Sequence, residues 1–523
     1  MTRQTTRPNI VYFFVDDMGY GDASCLNPEG RIKTRNIDRL AREGMIFTDA
    51  HSSSAVCSPS RYSVLTGRYN WRSVLQEGIV GPYGDPLIAE DRLTVPAFLK
   101  RHGYHSACIG KWHLGQGWDF EAAADDFHPG AQYGAGKVCA DGTLEATPRQ
   151  QAVWKEAFSK PTTGGPTTRG FDYYFGVDVP NWPPYCFIED DHTVGIPSEF
   201  LPARLLGNNL ASIAGPAMPY WHFEQLLPTW ANKADAYIKE RSQSGDPFFL
   251  YLAMTSPHTP LSVNKPWIGK SGLDNLYADL VLETDDVFGR VLASLERHGV
   301  ADNTLVIFAS DNGCAHYIGA KQMEEQGHFP SGPYRGYKSD VWDGGHRIPC
   351  IARWPRVIKP GTTCGALVCL SDLLATCADI VGDELPDNAA EDSFSMMPLF
   401  RGTGPSGRTA VVHHSISGKF AIRNERWKLV LCPGSGGWTH NDAEAAKAGL
   451  PLIQLYDMQA DPGETHNVYA RNRDTVKELL ALLKTYVADG RSTPGPRQKN
   501  DVSVDIWKLD SMPGVDSSIL NDY

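Results

Sequence analysis

The chain has 523 residues, of which 41% are hydrophobic and 21% charged, and this composition is typical of a globular enzyme with a large core. The formal net charge of −12 argues against a general attraction to nucleic acid, and no stretch approaches the roughly 20 apolar residues of a membrane span. The eleven cysteines lack the spacing of a disulfide framework or a zinc ribbon. We therefore expect a globular protein with neither a membrane span nor a nucleic-acid partner.

The amino terminus leaves little room for a targeting segment. An apolar strand pattern begins at Asn9, after only eight residues, which are too few for a secretory signal. We therefore expect a periplasmic or secreted protein if a signal peptide has been trimmed from this sequence, and a cytoplasmic protein otherwise.

Four strand patterns in the chain each end in a polar cluster. The patterns cover residues 9–15, 106–109, 247–254 and 304–309, and their apolar runs are typical of strands buried on both faces. The clusters that follow are Asp16-Asp17, Gly110-Lys111-Trp112-His113, Ser256-Pro257-His258 and Ser310-Asp311-Asn312-Gly313. Ligands of open α/β sheets bind outside the carboxyl ends of the strands, so we expect these clusters to converge.

Helical patterns lie between the strands and define the expected domains. The clearest covers 275–298, and its expected core stripe is Leu276, Leu280, Val287, Val291 and Leu295. The alternation predicts an α/β domain over 8–400, with a large, mostly parallel sheet flanked by helices. Short strand patterns and an amphipathic helix predict a smaller antiparallel sheet plus helix over 401–490, followed by an extended tail over 491–523. Long irregular stretches at 116–170 and 178–222 are expected to be functional loops.

The most informative motif begins at Cys57. Residues 57–69 read Cys-Ser-Pro-Ser-Arg-Tyr-Ser-Val-Leu-Thr-Gly-Arg-Tyr. Ser58 can cap a helix and Pro59 suits its first turn, so the helix dipole and free N–H groups would favour an anion beside Cys57. Taken alone, Cys57 could equally be a buried, inert thiol.

The whole motif resembles the signature of the formylglycine-dependent (type I) sulfatase family, Cys-x-Pro-x-Arg followed by Leu-Thr-Gly-Arg. In that family a maturation enzyme oxidises the cysteine to formylglycine, an aldehyde whose hydrate is the catalytic nucleophile. The resemblance implies this role for Cys57, a formylglycine-generating enzyme as a partner, and an alkaline-phosphatase-like fold.

A metal site is expected at the ends of the first and last of the four strands. The side chains there offer only hard oxygen ligands: Asp16, Asp17, Asp311 and Asn312. Such ligands favour Ca²⁺ or Mg²⁺ over Zn²⁺. The resemblance implies one divalent ion, usually Ca²⁺, with the modified Cys57 and the sulfate completing its ligands.

Further site residues follow from the same resemblance. It implies that Lys111 and Lys338 bind sulfate, that His113 hydrogen-bonds the formylglycine, and that His258 protonates the leaving oxygen. Arg61 lies four residues beyond Cys57, on the same helical face, and is expected to stabilise the nucleophile by charge-assisted hydrogen bonds. Where several relatives place a small hydroxyl residue near the sulfate, this chain has Asp178-Val179-Pro180-Asn181. Asn181 is the expected substitute.

The substrate is expected to be a sulfate monoester on a sugar or glycan, because the chain resembles arylsulfatase A and N-acetylgalactosamine-6-sulfatase relatives, many of which act on sulfated sugars. Candidate sugar contacts are the aromatic loop 181–185 and the pair His413-His414. Three alternatives stay open. They are a phosphate or phosphonate ester hydrolase of the same superfamily, a non-catalytic carbohydrate-binding homologue, and a sulfate transferase. The sequence does not predict the oligomeric state.

Overall fold

The computed structural model describes residues 7–120, 127, 145–201, 205, 212–512 and 514–522. Parts of the two long loops expected to be functional, 121–126, 128–144, 202–204 and 206–211, lie outside the described residues. None of the helices in the described ranges has both the length and the apolar character needed to cross a membrane.

The strands of the described chain fall into one large sheet and three small ones. In chain order they are β1 (Asn9–Asp16), β2 (Met45–Phe47), β3 (Ala50–His51), β4 (His105–Lys111), β5 (Tyr173–Val177), β6 (Ile188–Glu189), β7 (His192–Thr193), β8 (Glu199–Phe200), β9 (Pro216–Ala217), β10 (Phe248–Pro257), β11 (Thr304–Ser310), β12 (Cys350–Arg353), β13 (Thr362–Cys364), β14 (Val368–Cys369), β15 (Val411–His414), β16 (Phe420–Arg423), β17 (Trp427–Val430) and β18 (Gln454–Asp457). The ten-stranded sheet has the order β13-β2-β12-β11-β1-β10-β4-β5-β6-β7, and the four-stranded sheet has the order β15-β16-β17-β18. The remaining pairs are β14-β3 and β8-β9.

The α-helices of the described residues lie between these strands, except for α12, which follows the last strand. They are α1 (Arg35–Glu43), α2 (Cys57–Thr66), α3 (Val95–Lys100), α4 (Pro148–Phe158), α5 (Leu226–Ser244), α6 (Leu276–Arg297), α7 (Ala320–Glu325), α8 (Asp343–His346), α9 (Leu373–Val381), α10 (Met397–Arg401), α11 (Asp442–Lys447) and α12 (Arg473–Ala488). The alternation confirms the predicted fold class, a large and mostly parallel sheet flanked by helices together with a small antiparallel sheet.

The chain divides into two compact units by its internal contacts. Unit 1 consists of Met1–Asp16, Val80–Asp91 and Pro96–Ile307. Unit 2 consists of Asp17–Ile79, Arg92–Val95 and Phe308–Tyr523.

The core of unit 1 is formed by parallel strands that are apolar on both faces. β1 pairs with β10, β10 with β4, and β4 with β5, all in parallel. The register aligns Phe13, Leu252 and Ile109, all fully buried. Continuous apolar runs form such strands because helices cover the sheet, and α5 and α6 pack on β10 here.

Helix α6 follows its predicted pattern with one exception. Asn275 caps it, because the side-chain oxygen accepts a hydrogen bond from the N–H of Ala278 at 3.1 Å. The predicted stripe from Leu280 to Leu295 is buried. Leu276, however, is 38% exposed, so its assignment to the core was wrong. It is the first residue of the helix and lies at the end of the packed stripe.

The carboxyl-terminal part of unit 2 contains the predicted small sheet and helix. Strands β15 to β18 pair antiparallel in sequence order. One apolar cluster contains α12 residues Val476, Leu480 and Leu483 together with residues of β15, β16, β17 and β18. After α12, the described residues contain only short 3-10 helices, at Leu509–Ser511 and Ser518–Asp522.

Candidate active site

Cys57 is the first residue of α2 and is only 1% exposed. The extended residue Val56 occupies the N-cap position, and no side chain makes a cap hydrogen bond. The expectation that Ser58 caps this helix was therefore wrong, because the helix starts one residue before it. Cys57 consequently lies at the amino-terminal end, where the helix dipole favours negative charge.

Asp17 is the centre of a buried hydrogen-bond cluster in unit 2. Nζ of Lys338 lies 2.7 Å from its Oδ1 and 2.8 Å from its Oδ2. Nδ2 of Asn312 donates to Oδ1 at 2.7 Å. One carboxylate oxygen of Asp17 also lies within 4.8 Å of Sγ of Cys57. The structure thus brings the expected nucleophile, an expected metal ligand and an expected sulfate-binding lysine together.

Asp311 connects this cluster to α2. Its Oδ1 accepts a hydrogen bond from the backbone N–H of Asp17 at 3.1 Å, and its Oδ2 accepts one from Arg61 at 2.8 Å. Arg61 and Asp311 are both fully buried. Asp17 has a left-handed φ of 69°, which Asp tolerates better than most residues. The strained turn after β1 thus presents the Asp17 carboxylate to its partners.

The donor set of this cluster fits a hard cation. The amide nitrogen of Asn312 donates to Asp17 and to the carbonyl of Gly313, so its Oδ1 remains as an acceptor. That oxygen is buried and has no hydrogen-bond partner among the described residues. A buried, unsatisfied amide oxygen beside two carboxylates is the environment in which Ca²⁺ or Mg²⁺ is held.

Asp16 ends β1 in unit 1 and has its own lysine. Nζ of Lys111 lies 2.7 Å from Oδ2 of Asp16, and both side chains are fully buried. A ring nitrogen of His258 lies within 4.8 Å of an Asp16 carboxylate oxygen. Nδ1 of His258 donates to the carbonyl of Thr259 at 2.5 Å, which orients the imidazole. The aspartates of the two lysine–aspartate pairs, Asp16 and Asp17, are thus consecutive residues of the chain.

His113 is held by backbone contacts in unit 1. Its Nε2 donates to the carbonyl of Val80 at 3.0 Å, and its ring meets Trp182 edge-on with centroids 5.7 Å apart. Its backbone N–H donates to the carbonyl of Asp178 at 3.1 Å and to Oδ1 of the same residue at 3.2 Å. Asn181 lies in the same buried segment, and its carbonyl accepts the Tyr185 hydroxyl at 2.7 Å.

Asp178 is a candidate functional residue that the sequence analysis did not assign. Burial raises its pKa to about 7, against the lowering effects of the His113 N–H and the Lys111 charge. The available signal was its position directly after β5, equivalent to that of Asp17 after β1. Its protonation near neutral pH can therefore alter the surroundings of Lys111 and His113.

The expected sugar contacts lie in the interior. Trp182 is 7% exposed, Tyr185 is 1% exposed, and His413 and His414 are fully or almost fully buried. Because Cys57 and Lys111 are just as buried, this burial does not decide the assignment, and the sugar contacts stay predictions. The Tyr185 hydroxyl also donates to the carbonyl of Ile213 at 2.6 Å, so this loop is fixed by internal contacts.

Three histidines form a second buried cluster, in unit 2. Nδ1 of His51 lies 3.1 Å from Nδ1 of His346, and the His346 and His413 rings stack with centroids 3.6 Å apart and planes within 10°. Burial, together with neighbouring positive charge, lowers the pKa of His51 to about 4 and lowers the pKa values of His346 and His413 well below the usual range. A metal binds imidazole in the ring plane, and two stacked planes share no such point. This arrangement is therefore structural.

In unit 2, a buried cysteine at a helix terminus, a lysine–aspartate pair and an oxygen-rich cluster form a polar site suited to an anionic group. Comparison with known proteins specifies the class. The sulfatase family model matches residues 8–382, and that for the N-sulphoglucosamine sulphohydrolase carboxyl-terminal region matches residues 337–492. The chain belongs to the sulfatase family, as its motifs predicted, and is therefore a sulfuric ester hydrolase.

Individual relatives cover nearly the whole chain. An N-acetylgalactosamine-6-O-sulfatase of Bacteroides thetaiotaomicron is 30% identical, with 92% of this chain and 94% of the relative aligned. The human N-acetylgalactosamine-6-sulfatase is 31% identical over 94% of this chain and 87% of its own length. A solved sulfatase from work on glycosaminoglycan metabolism by Bacteroides thetaiotaomicron superposes with a TM-score of 0.77 at 29% identity, covering 92% of this chain and 99% of that structure.

Proposed function

We propose that this protein hydrolyses sulfate monoesters on a sulfated sugar or glycan, with formylglycine formed from Cys57 as the nucleophile and Ca²⁺, or alternatively Mg²⁺, as the bound ion. The observation that carries the proposal is the position of Cys57, within 4.8 Å of the Asp17 carboxylate at the amino terminus of α2. The relatives named as N-acetylgalactosamine-6-sulfatases support a sugar substrate.

Asp16, Asp17, Asp311 and Asn312 would hold the ion. When bound, it would supply positive charge that polarises the sulfate oxygens. The ammonium groups of Lys111 and Lys338 contact the carboxylates of Asp16 and Asp17, which supports the proposal that both lysines would bind the sulfate. Asn181 is proposed as a further sulfate contact.

The remaining residues orient groups and move protons. As its hydrate, formylglycine would supply one hydroxyl that loses its proton and attacks sulfur, breaking the bond between sulfur and the sugar oxygen. Its second hydroxyl would then lose a proton, which breaks the carbon–oxygen bond to sulfate and restores the aldehyde. Arg61, anchored on Asp311, would stabilise negative charge at position 57, and His113 would orient the hydrated group. His258, with Nδ1 fixed on the Thr259 carbonyl, would hold at Nε2 the proton needed by the leaving oxygen.

The proposal is tested with a panel of monosaccharides, each of which carries one sulfate group at a known position. Protein made with a maturation enzyme should release sulfate from at least one, and its Cys57 peptide should be lighter by about 18 Da. Cys57→Ala should fold and bind but not turn over. Chelation should abolish release, and Ca²⁺ or Mg²⁺ should restore it.

Three outcomes would contradict the proposal. They are full activity of protein that carries only the unmodified thiol, restoration by Zn²⁺ alone, and preferential cleavage of the matching sugar phosphates. The comparison with sugar phosphates distinguishes a sulfatase from a phosphate ester hydrolase of the same fold.

A further inference from the structure

A pocket of about 370 Å³ in unit 2 is lined mainly by polar residues that have no role in the proposed reaction. The lining residues that matter here are Glu77, Ser417, Lys419, Asn441 and Asp442. We call this the Lys419 pocket. Two carboxylates and one ammonium give it no excess of positive charge, so it does not favour a second anionic group.

The hydrogen-bonding groups of the pocket are fixed by the surrounding chain. Oδ1 of Asn441 accepts the N–H groups of Ala443 and Glu444 at 2.9 and 3.2 Å, capping α11, so its amide nitrogen is the end that can donate. Asp442 holds the loop before it, because its Oδ1 accepts the N–H groups of Gly434 and Gly436 at 3.0 and 3.2 Å. The pocket is thus a preformed set of donors and acceptors.

Lys419 is a buried cation that lines the pocket, with only 1% of its surface exposed. Its Nζ donates to the carbonyl of Lys508 at 3.2 Å. Gly436 has a left-handed φ of 62°, and a Cβ there would lie 2.8 Å from the Cβ of Lys419. This close approach requires glycine and keeps the pocket wall against the lysine stem.

An exposed tryptophan lies one residue beyond the pocket lining in the sequence. Trp438 follows the pocket residue Gly437 and is 43% exposed. Its ring centroid lies 6.0 Å from those of both His316 and Tyr317, and its backbone N–H donates to Oγ of Ser339 at 3.0 Å. An indole held in place with one part open to solvent offers an apolar face to a partner.

The pocket shares backbone with the expected sulfate site. Ser339 directly follows Lys338, and its carbonyl accepts the N–H of Ile416, which lines the pocket, at 3.0 Å. Consecutive Cα atoms are about 3.8 Å apart. The segment that positions the Lys338 ammonium on Asp17 therefore also positions the pocket wall and Trp438.

We propose that the Lys419 pocket and Trp438 form a subsite for an uncharged pyranose ring linked to the sulfated ring of an oligosaccharide. Trp438 stacks on the C–H face of this ring, and Asn441 and Lys419 donate hydrogen bonds to its hydroxyl groups. The inference rests on the proposed function and extends it, because it makes the preferred substrate an oligosaccharide with a neutral neighbouring sugar.

The test compares two substrates. These are N-acetylgalactosamine 6-sulfate and the disaccharide in which the same sugar is linked to an uncharged hexose. Trp438→Ala should lower the ratio of kcat/KM for the disaccharide to kcat/KM for the monosaccharide by about tenfold or more, and Asn441→Asp, which keeps the cap but removes the donor, should lower it too. Leu450→Ala, at a residue 42% exposed in the same unit, is the control and should leave the ratio unchanged. An unchanged ratio in Trp438→Ala would overturn the subsite.

A binding measurement separates this inference from the proposed reaction. Saturation-transfer NMR with the unsulfated disaccharide needs no turnover and no formylglycine. Transfer to the hexose ring should be seen with the unmodified wild-type protein and lost in Trp438→Ala. If this pattern appears while no sulfated sugar is cleaved, the subsite stands and the proposed reaction fails. Transfer that is absent, or independent of Trp438, overturns the subsite.

Discussion

The ammonium of Lys338 contacts both carboxylate oxygens of Asp17, at 2.7 and 2.8 Å, with both side chains buried. A residue expected to bind sulfate and one expected to bind the cation therefore compensate each other's charge. Lys111 and Asp16 repeat the arrangement at 2.7 Å. Each buried charge at this site depends on its partner, so a change in one is expected to affect stability as well as activity.

Lys338→Ala should destabilise the protein by roughly 3–5 kcal/mol, because the Asp17 carboxylate would lose its buried partner. Added Ca²⁺ should raise the Tm of this variant more than that of the wild type, since a cation would replace the missing charge. Thermal denaturation with and without Ca²⁺ measures both effects. Lys359→Ala, at an exposed lysine of the same unit, is the control. A loss of Tm that Ca²⁺ does not reduce would count against the metal assignment.

His258→Ala should distinguish substrates by their leaving groups. A sugar alcohol is a poor leaving group and needs a proton, whereas nitrophenolate leaves without one. We expect a loss of about 10²–10⁴-fold in kcat/KM on a sulfated sugar and a much smaller loss on nitrophenyl sulfate. The exposed His222→Ala serves as the control. Equal losses on the two substrates, at matched formylglycine content, would show that His258 binds sulfate or supports the fold.

The titration of Asp178 should appear in the pH dependence of stability. Burial raises its pKa from 3.8 to about 7, so the folded state keeps a proton that the unfolded chain releases. The contribution of Asp178 to the free energy of unfolding is at most roughly 4 kcal/mol. It is fully present below about pH 4 and is lost as the pH rises to about 7. Asp178→Asn should flatten this decline in urea unfolding, whereas the exposed Asp302→Asn should not. An identical decline in Asp178→Asn would contradict the assignment.

The buried histidines should make the protein sensitive to acid. The unfolded chain binds protons below about pH 6.5, but folded His51 stays neutral to about pH 4, and His346 and His413 also resist protonation. Stability should therefore fall as pH decreases from about 6.5 to 4, by roughly 1.4 kcal/mol per pH unit for each histidine. His413→Asn should reduce the slope of the free energy of unfolding against pH by the share of one histidine. The same substitution at the exposed His466 should leave this slope unchanged. No change of slope in His413→Asn would disprove this cause.

The sequence predicted the long strands of the large sheet and the four-residue strands β15, β16 and β17, but not the shortest strands of the large sheet. β1, β4, β10 and β11 are continuous apolar runs, which only a doubly covered sheet can bury. β2 and β13 have only three residues each, too few to show a pattern. The start of α2 differed by one residue because Val56 is extended and no side chain caps the helix.

In the candidate site too, the features set by the local sequence could be predicted, and those set by distant residues could not. The positions of Asp16, Asp17, Asp311 and Asn312 after strands could be predicted, because strand ends follow from local patterns. The burial of Trp182 and of Asp178 could not, since it depends on residues far away in the chain. An aromatic, Pro-rich loop has the same composition whether it lines a pocket or fills a core, and here Trp182 packs on His113.

The burial of Cys57 bears on when its proposed conversion to formylglycine would take place. The thiol is 1% exposed, and every residue of α2 is buried with it. An oxidising enzyme needs direct access to the thiol, and the folded protein denies that access. Under the proposed function, conversion and folding would therefore compete for the same nascent chain, and a molecule that folds first would keep its thiol. The active fraction of a preparation would then depend on the speed of folding relative to the supply of the maturation enzyme, and adding that enzyme to purified, folded protein should not increase it.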